Sequence, residues 1–272
     1  MKRLAVLGPK GTYSDIAKNS YLKQTNENYE IIYYPSILKT ALAVDDNTIA
    51  ILPFENTLDG FVIESMDAVI SNNLQIASQL ILDIDFAFIS NAKSILDVKD
   101  VYCQFKAYGQ CLDFISNHSF NIITTQSNME SFELLKDKDE TFGAIIPVHV
   151  LEGKSFNTEI LHIADSKSNQ TRFFVVKKKS DICLDENVNM SIVITAIEDR
   201  PGILFDILKQ FHDFGINLKS ILSRPMKTEM GKYKFYIECE MTHEQIKLID
   251  ELQKKLDTDK LMSNVLGIYN SL

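Results

Sequence analysis

Thr171 and Arg172 stand side by side in the segment Asn169-Gln170-Thr171-Arg172-Phe173-Phe174-Val175-Val176. A hydroxyl, a guanidinium and two aromatic rings therefore open an apolar run rich in β-branched residues, which reads as a buried strand. A purely structural strand has little use for these two polar groups at that point. An edge strand with its arginine in solvent would leave the same letters.

A second polar cluster is Gly8-Pro9-Lys10-Gly11-Thr12-Tyr13-Ser14, which turns a short apolar strand (Lys2 to Leu7) into a helix starting near Ser14-Asp15 and running to Leu22. Strand, glycine turn and helix start form an anion-binding layout. The unpaired N–H groups and positive dipole end of the first helical turn face the loop, and Lys10, Thr12 and Ser14 add side-chain donors. A cap serving only the helix is the structural alternative. The loop is neither GxGxxG nor a Walker loop, so it implies neither a dinucleotide nor a nucleoside triphosphate.

The third cluster, Pro53-Phe54-Glu55-Asn56-Thr57-Leu58-Asp59-Gly60, follows the apolar strand Thr48 to Leu52 and precedes a helix from Val62 to Ile70. In an open α/β sheet the carboxyl ends of the strands line the ligand crevice, so Asn56 and Thr57 are expected to face the same space as Gly11 to Ser14.

Other chemistries find little support. Cys103, Cys111, Cys183 and Cys239 form no CxxC pair, and the 5 histidines show neither HExxH nor ligand spacing with them, which argues for free thiols and no metal. A formal net charge of -9 without any Lys/Arg-rich run argues against nucleic acid. Lys2-Arg3 and the apolar Leu4 to Leu7 stop at Gly8, too soon for an export signal, and no stretch reaches the roughly twenty apolar residues of a membrane span. Cytoplasmic residence is the expectation.

The elements that must position these clusters follow a repeating strand–helix order. After the first strand and helix come a strand at Tyr29 to Tyr34 and a helix capped by Ser36 and running through Val44. Leu74 to Ser90, without Gly or Pro, is too long for one strand and reads as a crossing between two lobes. A second series follows: strand Val101 to Cys103, helix Ala107 to Ile115, strand Asn121 to Thr124, helix Met129 to Leu135 and strand Gly143 to Ile146. Gln104, Lys106, Gln110 and Ser127 of this lobe are placed across the cleft from Asn56 and Thr171. The expected boundaries are a lobe of about 1–78 plus 158–178 and a second of about 79–157.

Lys177 to Asn189 is polar and reads as a solvated linker. Beyond it the order is βαββαβ: strand Met190 to Ala196, a helix Ile203 to His212 opened by Asp199-Arg200-Pro201-Gly202, strands Asn217 to Leu222 and Lys234 to Glu240, helix Glu244 to Leu256, and strand Val265 to Tyr269. This is a ferredoxin-like module at 190–272.

Taken together, Gly8 to Ser14, Pro53 to Gly60, Asn169 to Phe173, Pro201-Gly202-Ile203-Leu204 and Ser223-Arg224-Pro225 resemble prephenate dehydratase with its C-terminal ACT regulatory domain. The resemblance implies an α/β catalytic domain at 1–178, two-lobed like the periplasmic binding proteins, and an ACT domain at 190–272. It also implies decarboxylating dehydration of prephenate to phenylpyruvate without a cofactor, feedback inhibition by L-phenylalanine, and dimers or tetramers.

Carried over residue by residue, the family's catalytic threonine falls on Thr171, its asparagine on Asn56 and its glutamine on Gln110. Substrate contacts are expected from Thr12, Ser14, Thr57, Lys106, Ser127, Arg172 and Phe173, with Phe54 and Phe105 as further candidates for an apolar wall and a plain core role as the favoured alternative for each phenylalanine. Effector contacts are expected from Gly202, Ile203, Leu204, Asn217, Leu218, Ser223 and Arg224. The chain departs from the family in two places. Cys103-Gln104-Phe105-Lys106 stands where the family shows Ser-His-Pro-Gln, so no role of that serine or histidine transfers. Leu222 replaces the glutamate of Glu-Ser-Arg-Pro. Two rival readings are an amino-acid or aromatic-acid sensor that has lost the chemistry and the solute-binding protein of a transporter.

Overall fold

The computed structural model describes residues 2–180, 188–196, 200–226, 233–258 and 261–272. Cys183, Asp199 and most of the expected linker lie outside the described residues.

The amino-terminal strands β1 (Arg3–Leu7), β2 (Glu30–Tyr34), β3 (Thr48–Asn56), β4 (Gly60–Phe61) and β5 (Leu74–Asp83) alternate with helices α1 (Tyr13–Thr25), α2 (Ile37–Leu42) and α3 (Ile63–Ser71). Only Ile84 and Asp85 then separate β5 from β6 (Phe86–Ser90), which belongs to a different sheet. That second sheet continues with β7 (Asp100–Gln104), α4 (Phe105–Gln110), α5 (Leu112–Ser116), β8 (Asn121–Thr125), α6 (Asn128–Leu135), β9 (Phe142–Pro147) and β10 (Thr158–Leu161). The chain returns to the first sheet in β11 (Gln170–Lys178), inserted antiparallel between β3 and β5. Thus Leu74 to Ser90 does cross between two lobes.

The lobe limits differ from those expected. β5 keeps to the first sheet as far as Asp83, and β10 pairs with β6 at Thr158↔Ser90, so residues 158–161 complete the second lobe. The return comes only after Leu161. The two crossings are tied where Ile84 N–H donates to the Asn169 carbonyl (2.8 Å).

The expected helix Ala107 to Ile115 is broken at Cys111, because the Asp165 carboxylate of the returning crossing accepts from Leu112 N (2.9 Å) and Asp113 N (3.0 Å) and starts a new helix there. Gln104, in the segment that departs from the family, caps α4 by accepting from Lys106 N at 2.7 Å.

The carboxyl-terminal module comprises β12 (Val188–Ala196), α7 (Ile203–Asp213), β13 (Asn217–Pro225), β14 (Tyr233–Met241), α8 (His243–Ile246), α9 (Ile249–Thr258) and β15 (Leu261–Ser271). The expected Glu244 to Leu256 helix is therefore two. Its strand order β13-β14-β12-β15 is that of a ferredoxin-like module. The module does not stand apart: β15 pairs in parallel with β5 at Asn270↔Ser78 and Ser271↔Gln79, giving one 10-stranded sheet. Gly267 permits this seam, since a Cβ there would lie 2.3 Å from the Ile76 carbonyl oxygen. Phe54 and Phe174 of the amino-terminal part share one core with Tyr236, Leu266 and Tyr269 of the module.

Candidate functional site

β3 and β11 bring the first pair of site residues together by register, Thr171 opposite Asn56 and Arg172 opposite Glu55. Between Arg172↔Glu55 and Phe173↔Pro53 the register jumps, leaving Phe54 as an extra residue on β3. Such a bulge re-aims the residues beyond it. Phe54 and Glu55 both lie on the face that packs against the carboxyl-terminal module, while Pro53 and Asn56 line the cleft. The proline is tolerated in this long strand because β1 stops pairing at Ile51, so no neighbour on that side needs its missing N–H.

Asn56 is held from every side. Its Oδ1 accepts from Leu58 N (2.9 Å) and Asp59 N (3.0 Å), which makes the other side-chain atom the nitrogen. That Nδ2 donates to Asn169 Oδ1 (2.8 Å), the Gln170 carbonyl (3.0 Å) and Thr171 Oγ1 (3.0 Å). Asn169 Nδ2 in turn donates to Gln110 Oε1 at 2.9 Å. A chain of amides therefore runs from Gln110 in the second lobe, through Asn169 in the returning crossing, to Asn56 and Thr171 in the first lobe. Since Thr171 Oγ1 accepts from Asn56, its own proton is left to donate elsewhere, and no acceptor for it occurs among the described residues.

The cleft between the lobes has a volume of about 350 Å³ and is lined by Asn56, Thr171, Gln110, Thr12, Ser14, Lys106, Ser127 and Phe173, among others. The amino terminus of α1 opens into it, with Thr12 in extended backbone geometry as its cap residue. Asp15 in that first turn does not oppose an anion there. Its carboxylate is turned onto Gly11 N (2.9 Å), Lys18 and Tyr33. Burial works to raise the Asp15 carboxyl, but those hydrogen bonds outweigh it and hold it below the usual carboxylate range. Lys106 stands at the cleft edge, 3.3 Å from Asp59. Ser127 caps α6 by accepting from Glu130 N at 3.1 Å. The opposite wall is apolar: Phe173, 1% exposed, lines it together with Phe86, Ile84 and Pro53.

Two expected substrate contacts, Arg172 and Thr57, are corrected, and neither Phe54 nor Phe105 lines the cleft. Arg172 is neither in the cleft nor in solvent. Strand alternation turns it to the opposite face from Thr171, where it pairs with Glu55 (2.6 Å) and Glu238 (2.7 Å). Thr57 is absent from the lining, because its hydroxyl ties the loop to the returning strand, donating to the Ser168 carbonyl (3.1 Å) and accepting from Gln170 N (3.0 Å). Phe54 is core, against Phe174 with ring centroids 4.0 Å apart. Phe105, at 73% exposed, points out to solvent.

Two residues were missed. Asn169 lies in the motif quoted from the sequence, yet only its burial at the lobe crossing reveals it as the link between Gln110 and Asn56. His149 comes from the second lobe to the glycine loop, its Nε2 3.0 Å from the Gly11 carbonyl and its ring edge-on to Tyr13. Burial lowers its pKa, so the neutral imidazole presents Nε2–H to that carbonyl. No local signal in the sequence announces this contact.

Burial also pushes the Cys103 thiol up to about 12, which keeps it protonated and unreactive. Among the described residues no cluster of His, Cys, Asp or Glu could hold a metal ion, and no helix is long and apolar enough to cross a membrane.

The expected effector residues do not meet within one module. β12 and β13 each pair antiparallel with β14 and so run parallel, placing Asn217 level with Asn189 at one end and Arg224 level with Thr195 at the other. Gly202, at the start of α7 with φ of 86°, follows β12 at the Arg224 end. Arg224 itself reaches the amino-terminal part, 3.2 Å from Asp67 of α3.

A family model described as prephenate dehydratase matches residues 4–181, and one described as ACT domain matches residues 191–257. The prephenate dehydratase of Methanocaldococcus jannaschii is 35% identical over 266 residues, 96% of this chain and 95% of its own. The solved prephenate dehydratase of Staphylococcus aureus subsp. aureus Mu50 matches with a TM-score of 0.84 and 28% identity, covering 98% of this chain and 100% of that one. The prephenate dehydratase of Arthrobacter aurescens, solved in complex with L-Phe, shares the fold with a TM-score of 0.84 at 23% identity, over 98% of this chain and 90% of that one.

Proposed function

The chain belongs to the prephenate dehydratase family and carries a C-terminal ACT domain, and from that premise we propose that its cleft converts prephenate to phenylpyruvate, carbon dioxide and water. The observation that carries this reading is the direction of the Asn56–Thr171 hydrogen bond, which leaves a hydroxyl proton available in a partly dry cleft facing a helix amino terminus.

Prephenate loses a ring carboxylate and a ring hydroxyl together. The electron pair of the breaking carbon–carbon bond completes the aromatic ring as the carbon–oxygen bond breaks, and the departing oxygen must take a proton to leave as water. Aromatisation supplies the driving force, so the protein has to orient the substrate and supply a donor. Thr171 donates a hydrogen bond to the departing oxygen, and the proton that completes the water molecule comes from solvent, passed through the Thr171 hydroxyl as it is replaced, with Asn56 fixing the threonine rotamer and Gln110 and Asn169 fixing Asn56. The pyruvyl carboxylate is held at the start of α1 by backbone N–H groups, Thr12 and Ser14, with Lys106 and Ser127 on the facing lobe. The carboxylate that leaves as neutral gas lies against Phe173, Phe86 and Ile84, where its charge is poorly solvated.

Residues 1–178 would then form the catalytic domain and 190–272 the regulatory one, inhibited by L-phenylalanine. The parallel run of β12 and β13 supports an effector site shared between two copies. Gly202, Ile203 and Leu204 of one module and Asn217 and Leu218 of the other approach only if a second copy supplies one half. The exposed Leu204, Phe205 and Leu208 of α7 and the edge position of β13 offer the surface for such pairing. Ser223 lies at the Gly202 end, and Arg224 is already engaged by Asp67. Purified protein mixed with prephenate should develop phenylpyruvate absorbance, and millimolar phenylalanine should slow it. Stable prephenate in that assay would overturn the catalytic reading. Undiminished turnover with phenylalanine would overturn the regulatory one.

A further inference from the structure

Next to Thr171 and Asn56, on the other face of the same two strands, lies a buried charge cluster that belongs to both domains. Arg172 donates through Nη2 to Glu55 Oε2 (2.6 Å) and Glu238 Oε2 (2.7 Å) and through Nη1 to Gln79 Oε1 (3.3 Å). Its guanidinium carbon stands 5.1 Å from the centre of the Phe174 ring and 5.7 Å from that of Phe54. Glu238, on β14 of the ACT module, has a side chain only 4% exposed. Every side of its carboxylate is used: Tyr236 donates to Oε1 (2.7 Å), and Ser220 of β13 donates to Oε2 (2.9 Å).

Removing charges from water is costly, and a buried ion pair is often no more stabilising than apolar residues of the same shape. What the cluster does provide is directional. Arg172 is one peptide from Thr171, Glu55 is one peptide from Asn56, and the extra residue Phe54 brings Glu55 to the Arg172 face. A displacement of Glu238 therefore pulls on both strands at the site of the Asn56–Thr171 bond. The other end of the chain of contacts is equally short. Ser220 is two residues from Leu218 and sits at a register shift in β13, so movement of Asn217 or Leu218 turns its hydroxyl relative to Glu238.

We propose that Glu238 is a positioning residue for the Thr171–Asn56 pair, acting through Arg172 and Glu55, and that Ser220 connects ligand binding on the module to that positioning within a single chain. The second half of this proposal rests on phenylalanine acting through the ACT domain; the first half does not. A misplacement of reacting groups by about 1 Å can cost on the order of a hundredfold in rate, so a small shift of β11 against β3 is enough to regulate. Two sites are coupled when a ligand at one favours an arrangement that alters the other, and the cluster is the element that has to differ between arrangements.

The test uses the full chain and the variants Glu238→Gln, Glu238→Asp and Ser220→Ala, measuring kcat and KM for phenylpyruvate formation, phenylalanine binding by calorimetry, and maximal inhibition. Glu238→Gln is expected to lower kcat about tenfold, with KM within about twofold, and Glu238→Asp to recover part of the loss. Ser220→Ala is expected to bind phenylalanine while maximal inhibition, taken relative to the variant's own uninhibited rate, falls at least about threefold. Parental kcat in folded Glu238→Gln overturns the positioning role, and parental inhibition in Ser220→Ala overturns the connection. If Glu238→Gln does not fold, Arg172→Gln takes its place with the same expected kcat loss, and parental kcat in that variant counts against the proposal. A parent enzyme that makes phenylpyruvate but ignores phenylalanine refutes the regulatory reading of the module, and the kcat of Glu238→Gln then decides positioning alone.

Discussion

Asn56 donates its side-chain amide to the Thr171 hydroxyl across 3.0 Å, and the reverse assignment is closed off because the Asn56 oxygen already accepts two backbone N–H groups. One loop turn thus decides which way a threonine proton can go. The donor proposed for catalysis is oriented by the backbone N–H groups of Leu58 and Asp59.

Thr171→Ala removes the donor and should lower kcat by about two orders of magnitude or more, with the fold retained and Thr171→Ser recovering much of the rate. Steady-state phenylpyruvate formation beside a thermal melt checks this. Near-parental turnover in the alanine variant would take Thr171 out of the mechanism.

Asn169→Ala cuts the amide chain between Gln110 and Asn56, and Asn169 does not itself line the cleft. The expected result is a kcat reduced about tenfold or more with little change in KM, together with about 1–3 kcal/mol of lost stability from the buried groups left unpaired. Urea unfolding and kinetics on the same preparation separate the two effects.

His149 gives the structure a pH dependence of defined sign. Burial lowers its folded pKa below the ordinary 6.5, so the unfolded chain binds this proton first as pH falls. Burial of the neutral imidazole therefore leaves stability that is fully present above about pH 6.5 and is lost as the pH drops toward the folded value, the Gly11 hydrogen bond opposing only part of that shift. Urea midpoints from pH 7.5 to 5 should decline in the parent, and His149→Gln, which keeps a donor for Gly11, should show a flatter decline over that range. An unchanged slope would assign the titration to other groups.

Gly267→Ala tests the seam between β15 and β5. Its Cβ would meet the Ile76 carbonyl oxygen at 2.3 Å, and since the Cβ is fixed to one strand's backbone and the oxygen belongs to the other's, the strands must part. A loss of about 1–3 kcal/mol is expected, with hydrogen exchange rising first at residues 76–79 and 267–272. Protection identical to the parent would show that the seam can yield without opening.

What the letters alone determined was local: the glycine turn into α1, the polar loop after Thr48 to Leu52, the Thr-Arg start of an apolar strand and the βαββαβ order of the last module. Each depends on neighbours a few residues apart, through helix starts, turns and hydrophobic period. Long-range pairing decided the rest. Alternation says that Thr171 and Arg172 leave β11 on opposite faces, but only the pairing with β3, the extra residue Phe54 and the docking of β14 settle that one face is the cleft and the other a carboxylate of the ACT module. Likewise Asn169 and His149 gain their roles where segments distant in sequence meet, and the lobe boundary fell where β10 found β6. A strand's residues carry their period with them; which neighbour each face meets is a property of the assembled sheet.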